Sequence, residues 1–194
     1  METLTDPQAK ARLLAILKEK SVFHGDFILA SGARSNYYID CRLTTLDSEG
    51  AGLVGQVILS LIRQHAGQAR ARVDAVGGLT MGADPIALAV AMRSFALGEK
   101  PSVRAFVVRK TPKTHGQGKV IEGNFKPGDS VVVIDDVVTK GDSTIAAIEA
   151  IKKEGGNVAF TAVLVDRQQG GREKIEALGH QVVSAFTRDD LLKT

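Results

Sequence analysis

The sequence predicts an α/β protein: a mostly parallel, doubly wound sheet with a small β-containing hood from the N-terminal part of the chain. Two observations carry this. From residue 73 onward, apolar runs of strand length alternate with segments of helical period. Strands separated by helices need right-handed crossovers, which give parallel neighbours covered by helices on both faces. In addition, Val131 to Ile134 is a run of four β-branched residues without polar alternation, as in a strand buried on both sides.

Taken in order, Asp6-Pro7 reads as an N-cap with Pro at the first helical position, and Leu13, Leu14, Ile16 and Leu17 give that helix its apolar stripe. Phe27-Ile-Leu-Ala and Tyr37-Tyr-Ile-Asp flank Ser31-Gly-Ala-Arg-Ser-Asn, a strand–loop–strand that would form the hood, about 20–45. A second helix is expected from about Ser48 to His65. The alternation continues with a strand at Val73 to Val76, a helix at Asp84 to Met92 and a strand at Val103 to Val108. A strand at 131–135 leads to a helix at about 143–154. Then come a strand at Val158 to Val165, a short helix at Arg172 to Leu178 and a strand at Gln181 to Phe186. The hood would sit over the carboxyl edge of the sheet, where open α/β folds bind ligands.

With 194 residues the chain can bury a full core, and 1–194 reads as a single domain. A net charge of +3 suits a site for a polyanionic small molecule. Few aromatics, no Trp and no long Lys/Arg tract argue against nucleic acid. Cys41 is the lone cysteine, so no intrachain disulfide forms and a reducing compartment is expected. The N-terminus lacks the pattern of a signal peptide, and no apolar run approaches the ~18 residues of a membrane span. The expectation is a cytoplasmic protein without membrane attachment.

Chemistry concentrates in residues 131–144. The apolar run is closed by two carboxylates, Asp135 and Asp136, and a small-polar loop leads to a helical pattern from Thr144. Backbone N–H groups at Thr139 to Thr144, with the helix dipole, favour a phosphate. The acidic pair is placed to accept hydrogen bonds from hydroxyls. A phosphate site beside a diol acceptor describes a ribose 5-phosphate. A capped helix beside two solvated carboxylates is the plainer alternative.

Residues 109–123 form a Gly-rich, cationic loop with few large apolar groups, expected to be mobile. It places Arg109, Lys110, Lys113 and His115 within seven residues. Such donors could stabilise negative charge on a leaving group, then open for product release. A solvated basic loop is the alternative here. Rival signatures fail: there is no Gly-x-x-x-x-Gly-Lys-[Ser/Thr] and no Gly-x-Gly-x-x-Gly after a strand. His24, His65, His115 and His180 show no metal-ligand spacing with one another or with Cys41.

The 131–144 segment resembles the phosphoribosyl pyrophosphate (PRPP) motif of the type I phosphoribosyltransferases. Arg109-Lys-x-x-Lys-x-His-Gly, followed by Ile-Glu-Gly, resembles the catalytic loop of the orotate phosphoribosyltransferases among them. Phe27 to Asp40 resembles the N-terminal signature of that family, and Arg167 after the 158–165 strand matches its arginine for the orotate carboxylate. Gly77 to Pro85 resembles one version of its pyrophosphate loop. The resemblance spans about 22–188. It departs at Ala30 and in the 77–85 loop, where other members carry lysines, and at Lys140, where a small residue is usual.

The resemblance implies a glycosyltransferase that moves phosphoribose from PRPP to N1 of orotate, giving orotidine 5′-monophosphate and pyrophosphate in pyrimidine biosynthesis. It implies catalytic roles for Asp135, Asp136, Lys113, His115 and Arg109. PRPP would meet those residues together with Lys110, Val137, Val138, Thr139, Lys140, Gly141, Asp142 and Ser143. Orotate would meet Thr139, Arg167, Tyr38 and Ile39. Mg²⁺ is the implied cofactor, held by PRPP and water rather than directly by protein. A homodimer is implied, with loop 109–123 reaching the neighbouring site. The alternatives are a phosphoribosyltransferase for another nucleobase, and a non-catalytic PRPP-sensing regulator.

Overall fold

The computed structural model describes residues 4–28, 34–111 and 119–193. The chain begins with helix α1 (Asp6–Ser21), followed by strands β1 (Val22–Ile28) and β2 (Arg34–Ile39) and two helices, α2 (Arg42–Thr45) and α3 (Ser48–Ala69). Strand β3 (Ala75–Leu79), helix α4 (Ala83–Ala96), and strands β4 (Arg104–Val108) and β5 (Ile121–Gly123) come next. Strand β6 (Ser130–Val138), helix α5 (Asp142–Lys153), strand β7 (Asn157–Asp166), helix α6 (Gly171–Ala177), strand β8 (Val182–Thr187) and helix α7 (Arg188–Leu192) complete it.

Six strands form the main sheet in the order β5-β4-β3-β6-β7-β8. All neighbours in it are parallel except β4 and β5. β1 and β2 make the separate antiparallel hood, paired from Val22↔Ile39 to Ile28↔Arg34. Along β6, Val132 and Ile134 face the cluster that includes α1, α3 and α4, whereas Val131 and Val133 face the cluster that includes α5. Alternate residues of one apolar run therefore enter two cores, as its lack of polar alternation predicts.

Several boundaries differ from the sequence expectations. Thr5, not Asp6, caps α1: its N–H donates to Gln8 Oε1 at 2.9 Å, closing a capping box one residue earlier. α3 runs past His65 to Ala69, and its last turn, Ala66 to Ala69, lacks the large apolar residues that would mark a helix in the sequence. β3 lies later than 73–76 and includes Gly77 and Gly78, which the sequence places in a loop. Added Cβ atoms there would sit 2.3 Å from Phe106 O and 2.0 Å from Ile134 O, so only glycine lets β3 pass between its neighbours. β5 occupies the end of the segment read as a loop, as an antiparallel edge strand whose Ile121 is buried.

The acidic pair does not end β6. The strand continues to Val138, with Asp135 opposite Val163 and Val138 opposite Asp166. Ladder pairing with β7 overrides the low strand propensity of aspartate.

Candidate active site

A cleft of about 330 Å³ opens at the carboxyl edge of the sheet. Its walls come from the hood side (Tyr38 to Arg42), the end of β3 and its following loop (Leu79 to Gly82), and the end of β6 (Asp135 to Val137). Thr139, Ser143, Lys110 and Arg167 complete it. Residues far apart in the chain thus converge where the hood covers the strand ends.

Asp135 is only 5% exposed. The plainer alternative of two solvated carboxylates therefore fails for Asp135. Asp135 Oδ2 accepts from Ser143 Oγ at 2.8 Å and Thr144 Oγ1 at 2.7 Å, and Oδ1 accepts from the Asp136 N–H at 3.0 Å. Both oxygens are engaged, and the carboxylate ties the start of α5 to β6. Burial pushes its pKa up, opposed by the hydrogen bonds from Thr144 and Ser143.

Asp136 is partly buried. Its Oδ1 accepts the Val137 N–H at 2.9 Å. Burial first, and the charge of Asp135 second, push its carboxyl up to about 7. Opposite it stands Gly82, where a Cβ would fall 2.3 Å from Asp136 Oδ1. With glycine at 82 the carboxylate keeps this position, and a larger residue there would push it aside.

The N-terminus of α5 is built by Gly141, whose φ of 78° makes it the N-cap in the left-handed region. That conformation suits glycine. The first-turn N–H groups of a helix have no intrahelical acceptor, and such an N-terminus suits an anion. Thr139 and Ser143 line the cleft, whereas Val138 is buried, Lys140 is exposed and Asp142 pairs with Lys174 of α6.

Arg167 follows β7 and is 6% exposed. Its N–H donates to Val138 O at 2.9 Å, fixing the backbone to β6. The Nε and Nη2 atoms are buried without a hydrogen-bond partner among the described residues. Arg167 lines the cleft, and a buried guanidinium with two unpaired donors is suited to a bidentate oxyanion. Tyr38 lines the cleft with its ring against Phe23 and Phe27, at centroid separations of 6.5 and 5.8 Å. Ile39 also borders the cleft, but its side chain belongs to the core.

Of the cationic loop, Lys110 lines the cleft. Arg109 instead approaches Glu122 of β5, with Nη1 3.3 Å from Oε1. Lys113 and His115 lie outside the described residues, as does Ala30.

Sequence reasoning missed Asp40 and Arg42 at this site. They form a two-pronged pair, 2.8 Å at both contacts, and both border the cleft. An Asp-x-Arg directly after the Tyr-Tyr-Ile run is the signal that could have found them. In the β3–α4 loop, Thr80 Oγ1 donates to Asp84 Oδ2 at 2.7 Å and its N–H to Val108 O at 2.8 Å. These bonds fix the backbone that faces Asp136.

Residues 51–182 match the family model for the phosphoribosyl transferase domain. An orotate phosphoribosyltransferase of Tropheryma whipplei (strain Twist) is 42% identical over 183 residues, covering 94% of this chain and 82% of its own length. The crystal structure of Mycobacterium tuberculosis H37Rv orotate phosphoribosyltransferase in complex with Fe(III) dicitrate aligns with TM-score 0.80 and 37% identity, over 95% of this chain and 99% of that one. The structure of the same enzyme in complex with PRPP aligns with TM-score 0.75 and 35% identity, over 94% and 98% of the two chains. With the sheet order, the hood and the 131–144 segment already in place, these likenesses settle the family: the chain belongs to the orotate phosphoribosyltransferases.

Proposed function

We propose that this chain transfers the 5-phosphoribosyl group of PRPP to N1 of orotate, releasing pyrophosphate and forming orotidine 5′-monophosphate. The observation that carries the choice of base is Arg167, a buried guanidinium with two unpaired donors bordering the same cleft as Asp136. Orotate differs from the simpler pyrimidines by a carboxylate, and a planar fork of donors recognises that group.

In this reading the first turn of α5 anchors the 5-phosphate, and Thr139 and Ser143 contact it from the cleft wall. Asp136 accepts from the ribose hydroxyls, while Asp135 holds the loop and supports the local negative field. That field favours the positive charge that builds on the sugar as the C1–O bond to pyrophosphate breaks. Lys110 faces the departing pyrophosphate, joined by Arg109, Lys113 and His115 when loop 109–123 closes. Orotate needs no covalent nucleophile: N1 gives up its acidic proton to solvent, and the ring nitrogen bonds to C1 as the C1–O bond breaks and pyrophosphate leaves.

Mg²⁺ belongs to the proposal. The ion would be held by PRPP and water, and the cleft oxygens of Asp136 and Thr80 would accept hydrogen bonds from the several waters it keeps. Bound with pyrophosphate, the ion would neutralise part of its charge. A homodimer with loop 109–123 acting in the neighbouring site is also proposed. In its support, α4 exposes Leu88, Met92 and Phe95 at helical spacing, beginning about two turns beyond cleft residue Met81. The reading treats 1–194 as one phosphoribosyltransferase domain in the cytoplasm, in keeping with the free, buried Cys41. No helix among the described residues is long and apolar enough to cross a membrane.

The test is direct. Mixing the protein with PRPP, Mg²⁺ and orotate should deplete orotate absorbance and release pyrophosphate in equal amounts. Turnover of adenine, guanine or hypoxanthine in place of orotate would overturn the assignment of the base.

A further inference from the structure

We propose that Tyr37 is a positioning residue for base recognition, its ring holding the Arg167 guanidinium so that the Nε–Nη2 edge meets the carboxylate of orotate. This rests on the reading of Arg167 given above.

A buried cation needs compensation. Arg167 has no carboxylate partner among the described residues. Its sequence neighbour Asp166 is engaged elsewhere, with Oδ2 3.2 Å from Arg172 Nε and Oδ1 accepting the Gln168 N–H at 2.8 Å. What lies against the guanidinium is the Tyr37 ring, with Cζ 5.2 Å from the ring centroid. The two kinds of support differ in what they leave free. A carboxylate would occupy the N–H edge of the fork, whereas an aromatic face stabilises the charge from above and leaves that edge open. Supporting an arginine that must receive an anion therefore calls for a ring.

Tyr37 is itself held from two directions. It lies on β2 opposite His24 of β1, and Ser35 Oγ donates to its carbonyl at 2.7 Å. Its hydroxyl accepts from Gln169 Nε2 at 3.4 Å, in the segment that follows Arg167. The ring thus links the hood to the stretch carrying the base-reading arginine, and hood position and base affinity become one property.

Four variants test this: Tyr37→Phe, Tyr37→Leu, Tyr37→Met and Arg167→Ala. Loss of the ring in Tyr37→Leu should raise KM for orotate about tenfold or more, from the strength of desolvated cation–π contacts. KM for PRPP should change less than about twofold, because the phosphoribosyl contacts do not pass through Arg167. Tyr37→Phe keeps the π face and should stay within about threefold of wild type for orotate. Tyr37→Met, which fills much of the space without a π face, should behave as Leu and carries the comparison if Leu does not fold. In the Tyr37→Leu, Arg167→Ala double variant, orotate should bind no more weakly than in Arg167→Ala alone. An unchanged orotate KM in the ringless variants, equal rises for both substrates, or additive losses in the double variant would each overturn the role of Tyr37. An Arg167→Ala variant with unchanged orotate KM would overturn the reading of Arg167 as well.

Discussion

Burial and the charge of Asp135 raise the Asp136 carboxyl from its ordinary 3.8 to about 7. An acid whose folded pKa is raised contributes its full stability below the unfolded value and loses it as pH climbs through the folded one. Ionised Asp136 therefore destabilises the ligand-free fold above pH 7, by an amount on the order of a few kcal/mol at 1.36 per unit. Replacing it with Asn should raise the melting temperature at pH 8 and change it little at pH 4, while turnover falls by at least about a hundredfold. Thermal melts at the two pH values, beside a turnover assay, check both halves. Equal shifts at both pH values would show that burial of the charge is not the cause. The adjacent carboxylate serves the loop instead, since its oxygens hold Ser143 and Thr144. Sequence shows the pair of acids but not this division, which depends on residues that fold back from α5.

The N-terminus of α5 depends on the left-handed backbone at Gly141. In a Gly141→Ala variant, the new Cβ would meet Gly171 O at 2.9 Å and the backbone would be strained. That change should cost about 1–2 kcal/mol of stability. It should also raise KM for PRPP several-fold, with a smaller effect on orotate, measured by denaturant titration and initial rates. Equal KM changes for both substrates would argue against a phosphate site at this helix. The same region shows what local sequence carries. The Val131 to Ile134 run and the helix after it are legible because their apolar patterns are local. The end of β6 is not, because its ladder with β7 is decided by residues nearly thirty positions away. Gly77 and Gly78 mislead for a like reason: read locally they break a strand, yet in the sheet they let three strands close up. The Tyr37–Arg167 contact joins residues 130 positions apart (167 minus 37), and no spacing rule reaches that far.

Across the whole molecule, the proposed two-fold arrangement with exchanged loops makes a quantitative prediction. A Lys113→Ala subunit and an Asp136→Asn subunit, each nearly inactive alone, should form half mixed dimers after co-refolding. Each mixed dimer would hold one intact site of two, so activity should recover to roughly a quarter of wild type. Activity that stays at background would place loop and acidic pair in the same subunit's site. The mostly parallel sheet, the hood and the carboxyl-edge cleft follow from alternation and motif order in the sequence, whereas the order of the strands does not. The closure of the cleft by Asp40 and Arg42 does not, because it depends on how the hood docks. The central claim is that this cleft reads the carboxylate of orotate through Arg167. Its most direct measurement is the ratio of kcat/KM for orotate to that for uracil, which lacks the carboxylate, in wild type and in Arg167→Ala. The account predicts a strong preference for orotate in wild type. In the variant it should fall by a factor of about 30 or more, through loss of orotate use with uracil unchanged, from the ~2–5 kcal/mol carried by a buried charge pair. A variant that keeps the wild-type preference would contradict it.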